Sequence, residues 1–120
     1  MTTPFVYGIP NCDTVRRARA WLTAQGVAHR FIDFKKLGMP ATRLDVWLQT
    51  LDWQSLVNRQ GSSWRKLPAA DQAAVTGSSS ARALMLAHPS VVKRPVVEWP
   101  DGRVTVGFVA DEWRALLWPL

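Results

Sequence analysis

Residues 7–22 read Y-G-I-P-N-C-D-T-V-R-R-A-R-A-W-L, and two different periodicities meet inside this stretch. At its start, P-F-V-Y (residues 4–7) is a short run of apolar, β-branched and aromatic side chains, which predicts a strand. Gly8, Pro10 and Asn11 then place three turn formers in four residues. Beyond the turn, Val15, Ala18 and Leu22 recur at i, i+3 and i+7, and Trp21 widens their stripe, so an amphipathic helix follows. Asn11, Asp13 and Thr14 are candidate N-caps. Cys12, the one cysteine of the chain, therefore falls within a residue or two of the helix N-terminus.

Working outward, Gln25-Gly26 reads as a C-cap, and residues 27–34 (V-A-H-R-F-I-D-F) alternate as a second strand. Strand, helix and strand within about thirty residues make a βαβ unit with a right-handed crossover. Residues 35–40 read as a loop. Residues 41–51 form a helix with Leu44, Trp47, Leu48 and Leu51 on one face. Residues 52–67 predict a short helix, a stop at Gly61 and another turn. Pro68 to Asp71 opens a further helix, and Ser79 or Ser80 caps a last one over 81–87. No strand pattern occurs in this middle third. Residues 91–99 and 103–108 flank a Pro100-Asp101-Gly102 turn as an antiparallel hairpin. A helix over 111–118 closes the chain with Trp113, Leu116 and Leu117 inward. The order βαβ, helices, ββα predicts an α/β protein of thioredoxin-like fold. Its four-stranded mixed sheet receives a helical insertion, about residues 38–89, between the second and third strands of a single domain, 1–120.

With 48% hydrophobic and 20% charged residues in 120, the composition is that of an ordered globular domain. No apolar run approaches the ~18 residues of a membrane span. The opening M-T-T-P-F-V-Y-G lacks the basic and apolar regions of an export signal, so a cytoplasmic location is expected. A lone cysteine cannot close an internal disulfide, and its partner thiols must come from other molecules. Fifteen Lys+Arg against nine Asp+Glu give a net charge of +6. Such a balance can signal nucleic acid, but the cations are scattered and form no nucleic-acid motif, and binding of small anions, glutathione or an oxyanion, explains the charge equally well. Composition does not choose between these, and no nucleic-acid partner is expected. There is no glycine-rich nucleotide motif. His29 and His88 stand far from Cys12 in sequence and make no metal-ligand set with it.

A helix N-terminus offers unpaired N–H groups and the positive end of the macrodipole, both of which favour thiolate over thiol. The same groups can hold an anion against the sulfur. Arg16, one turn along, is a candidate cation beside it. Arg94-Pro95 opens the third strand, the place where a thioredoxin-type fold sets a cis-proline against the cysteine loop. Arg94 would then direct its guanidinium toward the anion held at Cys12. Arg59, in the Asn58-Arg59-Gln60-Gly61 turn, is a candidate third positive group.

The segments G-I-P-N-C-D-T-V-R-R-A-R-A-W-L, L-V-N-R-Q-G-S-S-W-R-K-L, K-R-P-V-V and V-G-F span nearly the whole chain. Together they resemble the ArsC/Spx family, closest to its YffB-like branch. The resemblance implies a thioredoxin-like fold with inserted helices, a nucleophilic Cys12, and Arg94 followed by a cis Pro95. It implies a glutathione-dependent thiol reductase, arsenate-reductase-like, whose substrate is a disulfide or small oxyanion. Glutathione would be the co-substrate, with glutaredoxin as a recycling partner and no bound cofactor or metal. On this reading the protein acts as a monomer. The turn Asn11-Cys12-Asp13-Thr14 and Arg16, Arg59 and Arg94 bind the anionic groups, and Pro95 shapes the groove. The Spx branch implies the alternative, a non-enzymatic protein that binds RNA polymerase. Three positions depart from the family patterns. Val15 stands where Spx proteins carry a second cysteine. Asn58 and Phe108 stand where the arsenate reductases carry arginines. The last two argue against arsenate as substrate, because a tetrahedral oxyanion needs several fixed cations or N–H donors.

Overall fold

A computed structural model describes residues 3–119; the first two residues of the segment read for an export signal lie outside them. In chain order the elements are β1 (Phe5–Gly8), α1 (Asp13–Ala24), β2 (Arg30–Asp33), α2 (Phe34–Leu37), α3 (Ala41–Thr50), α4 (Trp53–Leu56), α5 (Ser62–Arg65), α6 (Ala69–Ala73), α7 (Ser78–Ala87), a 3-10 turn (Pro89–Val91), β3 (Val96–Glu98), β4 (Val104–Val106) and α8 (Ala110–Leu117). They fall into two compact units. One holds the chain up to Ile32 and from Arg94 onward, and the other is Asp33–Lys93.

The first unit is built on a four-stranded mixed sheet of order β2-β1-β3-β4, the expected thioredoxin-like arrangement. β3 runs antiparallel to both neighbours, with Val6 opposite Val97 and Val97 opposite Thr105. Val6 and Val97 bury against Ala18 and Leu22 of α1 and Trp113 of α8, with Trp99 completing the cluster. Trp113 meets Phe108 at 4.8 Å, Trp99 at 5.1 Å and Trp21 at 6.1 Å between ring centroids, all edge-on. That geometry sets the positive ring edge against a negative face. The Trp99 indole nitrogen donates to Thr105 Oγ1 at 2.9 Å.

Gly8 lets α1 lie close to β1. A Cβ there would sit 2.8 Å from Val15 Cγ2. Val15 is fully buried and, being β-branched in a helix, has essentially one rotamer. Gly8→Ala is therefore expected to lower stability by about 1–3 kcal/mol through overpacking. A denaturant midpoint that stays put at unchanged m-value would contradict this.

The strands are shorter than the sequence suggested, each for a local reason. Residues 27–34 were expected to form one strand, but Val27 N–H bonds Leu22 O (2.9 Å) and Gly26 N–H bonds Thr23 O (3.0 Å). With Gly26 at φ 74°, these close a Schellman cap on α1 and delay β2 to Arg30. At the other end the Asp33 carboxylate accepts the N–H groups of Lys35 and Lys36, both at 3.0 Å. Phe34, expected to end the strand, therefore begins α2, which runs to Leu37 through residues expected as a loop. β3 starts at Val96 because residues 89–91 coil into the 3-10 turn and Pro95 has no N–H for the ladder. Gly107, at φ 84°, ends β4 early.

The second unit holds the helical insertion, Asp33–Lys93 against the 38–89 expected. Phe34, Leu44, Trp47, Leu56, Ala81 and Met85 are buried. Val57 and Val92 form an isolated antiparallel bridge, flanked by Asn58 N–H to Val91 O (2.8 Å) and Lys93 N–H to Leu56 O (2.7 Å). Val92 belongs to the 91–99 segment read as a strand, whereas its partner Val57 lies in the middle third, which shows no strand pattern. α7 begins three residues before the expected 81–87 helix. Ser80, expected as a cap, sits in its first turn and accepts from the N–H groups of Thr76 and Gly77 at 2.9 and 3.1 Å. Among the described residues no helix is long and apolar enough to cross a membrane.

Candidate active site

β1 ends at Gly8, and the chain turns back through residues 9–12, where Cys12 N–H bonds Ile9 O at 3.3 Å. Cys12 O accepts Arg16 N–H at 2.9 Å, the first bond of α1. Cys12, with φ −98° and ψ 124°, is therefore the N-cap itself. The expected caps were Asn11, Asp13 and Thr14. With Cys12 at this position, Thr14 and Val15 are N2 and N3, whose N–H groups an N-cap side chain faces.

The half-buried sulfur is surrounded accordingly. Burial pushes the Cys12 thiol up. The Val15 N–H, the hydrogen bond and charge of Arg94, and the Thr14 N–H outweigh that cost, so Cys12 titrates below its ordinary value. Arg94 belongs to the same unit, immediately before the buried Pro95, and the Arg94–Pro95 peptide bond is cis. The result is a partly exposed sulfur at the N-terminus of α1 whose ionisation is favoured by the Val15 and Thr14 N–H groups and by Arg94, and a guanidinium is a group that can grip a carboxylate with two parallel bonds.

The remaining candidates divide. Asn11 is exposed in the turn. Asp13 is exposed and forms a salt bridge with Arg16, so the Arg16 guanidinium is engaged one residue past the cysteine. Arg59 lies in the second unit, its guanidinium carbon 5.8 Å from the Trp53 ring centroid. It lines a polar cleft of about 270 Å3 with Asn58, Gln60 and Lys93. Asn58 holds its own turn, accepting Gln60 N–H on Oδ1 at 3.2 Å and Gly61 N–H on its carbonyl at 3.3 Å. Phe108 packs on Trp113 and Trp21, so the position after Gly107 serves the core of the first unit. Arg19 Nε donates to His29 Nε2 at 3.4 Å and its guanidinium carbon lies 4.3 Å from the Phe31 ring centroid, a packing role for both residues. Among the described residues no three His, Cys, Asp or Glu side chains gather as a metal site. The donor that sequence reasoning missed is the Val15 main-chain N–H. The side chain reads as core, and only the cap position, counted forward by three, assigns the N–H to the sulfur.

The chain matches the model of the ArsC family over residues 7–116. The solved structure of a YffB protein is 42% identical, covers 97% of this chain and 100% of its own, and superposes with a TM-score of 0.90. An arsenate reductase (ArsC) related protein from Brucella melitensis is 46% identical with a TM-score of 0.74, covering 97% and 95%. The global transcriptional regulator Spx of Streptococcus agalactiae is 29% identical over 113 residues, 90% of this chain and 78% of the regulator.

Proposed function

The chain belongs to the ArsC family and has its arsenate-reductase-like fold, and from that premise we propose that it is a glutathione-dependent thiol–disulfide oxidoreductase working through Cys12. The observation that carries this reading is the ionisable sulfur at the N-cap of α1 with Arg94 beside it. The Cys12 thiolate attacks a mixed disulfide of glutathione and a substrate thiol. A Cys12–glutathione bond forms, the substrate S–S bond breaks, and the substrate leaves as a thiolate that takes a proton from water. A second glutathione thiolate then attacks the glutathione sulfur. This releases Cys12 and oxidised glutathione: one free glutathione thiol is consumed per substrate thiol released, and the number of disulfide bonds is unchanged. The Thr14 and Val15 N–H groups hold the charge on the Cys12 sulfur as it leaves, and Arg94 holds a glutathione carboxylate.

Intact-mass measurement tests the reading. Incubation with oxidised glutathione is expected to add one glutathionyl group at Cys12, which reduced glutathione then removes. No adduct, or an adduct that reduced glutathione leaves in place, would sink it. Arsenate plus glutathione is expected to give no turnover, since Arg94 is the one guanidinium acting on the sulfur among the described residues. The similarity to Spx favours a second reading, docking onto RNA polymerase. Capture of the polymerase by Cys12→Ser, with no turnover in the parent protein, would select it.

A further inference from the structure

Outside the Cys12 site, the second unit contains a cavity of about 410 Å3, within the usual range of small-ligand pockets. Lys35 from α2 and Lys66 from the C-cap of α5 line it, together with His88 at the end of α7 and Ser63 of α5. No Asp or Glu is among its lining residues. Neither lysine has an ion-pair partner among the described residues. The acid nearest to Lys35 in sequence, Asp33, is occupied in capping α2. Arg65, beside Lys66, points its guanidinium to Gln60 O. Both lysines are exposed, so water screens their mutual repulsion, and together they leave this rim of the cavity positively charged, which a bound dianion would complement. The other wall is apolar, made by Leu67, Pro89 and Val91.

We propose that this cavity binds a small phosphate monoester, its phosphate between Lys35 and Lys66 with the Ser63 hydroxyl as donor, its apolar body against Leu67, Pro89 and Val91. The site shares no residue with the Cys12 site and stands whether or not the redox reading does.

The test is an NMR titration of the whole chain, 15N-labelled, with phenyl phosphate, and with benzoate and inorganic phosphate in parallel. Phenyl phosphate is expected to shift the amides of Lys66, Leu67 and Val91 saturably, with a Kd of about 1 mM or tighter. Benzoate, with the same ring and one charge fewer, and inorganic phosphate, without the ring, are each expected to bind about tenfold more weakly. The double variant Lys35→Ala/Lys66→Ala changes two exposed side chains. It is expected to keep a dispersed spectrum and to lose about tenfold in affinity. Shifts confined to residues 12–15, no saturable shift at all, or unchanged affinity in the double variant would overturn the site. Benzoate binding as tightly as phenyl phosphate would overturn the ligand class.

Discussion

Cys12→Ser is expected to lower glutathione-coupled disulfide reduction by about a thousandfold or more, because a serine hydroxyl stays un-ionised and cannot form the mixed disulfide. The fold should survive the change. Serine is a favoured N-cap, and its oxygen can accept the same Thr14 and Val15 N–H groups that face the sulfur. Activity and stability should therefore separate, and pH sharpens the separation. The folded chain depresses the Cys12 pKa, so the ionised sulfur adds stability above the unfolded thiol value of about 8.5. That contribution is lost as pH falls through the folded value. The difference between the denaturation midpoints of parent and variant should accordingly be largest above pH ~8.5 and become independent of pH in acid, where Asp45 and Asp101 titrate alike in both. A Cys12→Ser protein that still turns over would refute the assignment of the nucleophile.

Arg94→Ala is expected to move the midpoint of the Cys12 alkylation profile upward, toward an ordinary thiol, and to slow alkylation at pH 7 by about tenfold. Arg94 contributes both a hydrogen bond and a charge, and the Val15 and Thr14 N–H groups remain, so the shift should be partial. Arg94→Lys keeps the charge and loses the planar fork, and its midpoint should fall between the other two. Thiolate nucleophilicity rises with pKa, so at high pH the Arg94→Ala plateau should match or exceed that of the parent. A fall in rate at every pH with an unmoved midpoint would mean that Arg94 shapes the pocket without holding the charge.

The parts of this architecture that were legible in sequence are those with local causes. The change from strand to turn to helix in residues 7–22 located the cysteine loop, and the hairpin over 91–108 located Arg94-Pro95 at a strand start. Side-chain competition at the boundaries was less visible. Capping preference pointed to Asn11, Asp13 and Thr14, since cysteine ranks low as a cap, yet the chain starts α1 on Cys12. Asp13 and Arg16 stand at i,i+3, a spacing that does signal a pair, and the structure places the Arg16 guanidinium on the exposed Asp13 carboxylate. Asp33 turned a predicted loop into α2 by capping it. The Val57–Val92 bridge joins residues thirty-five positions apart, beyond the reach of any periodicity.

Val15, sealed beneath Gly8, occupies the position from which a second thiol could have closed on the first. Every disulfide this chain makes must therefore join it to a different molecule, so oxidation by that route always makes a larger species. A shift to higher mass or a slower-migrating band, never a compact internal loop, is the physical signature of its oxidised history.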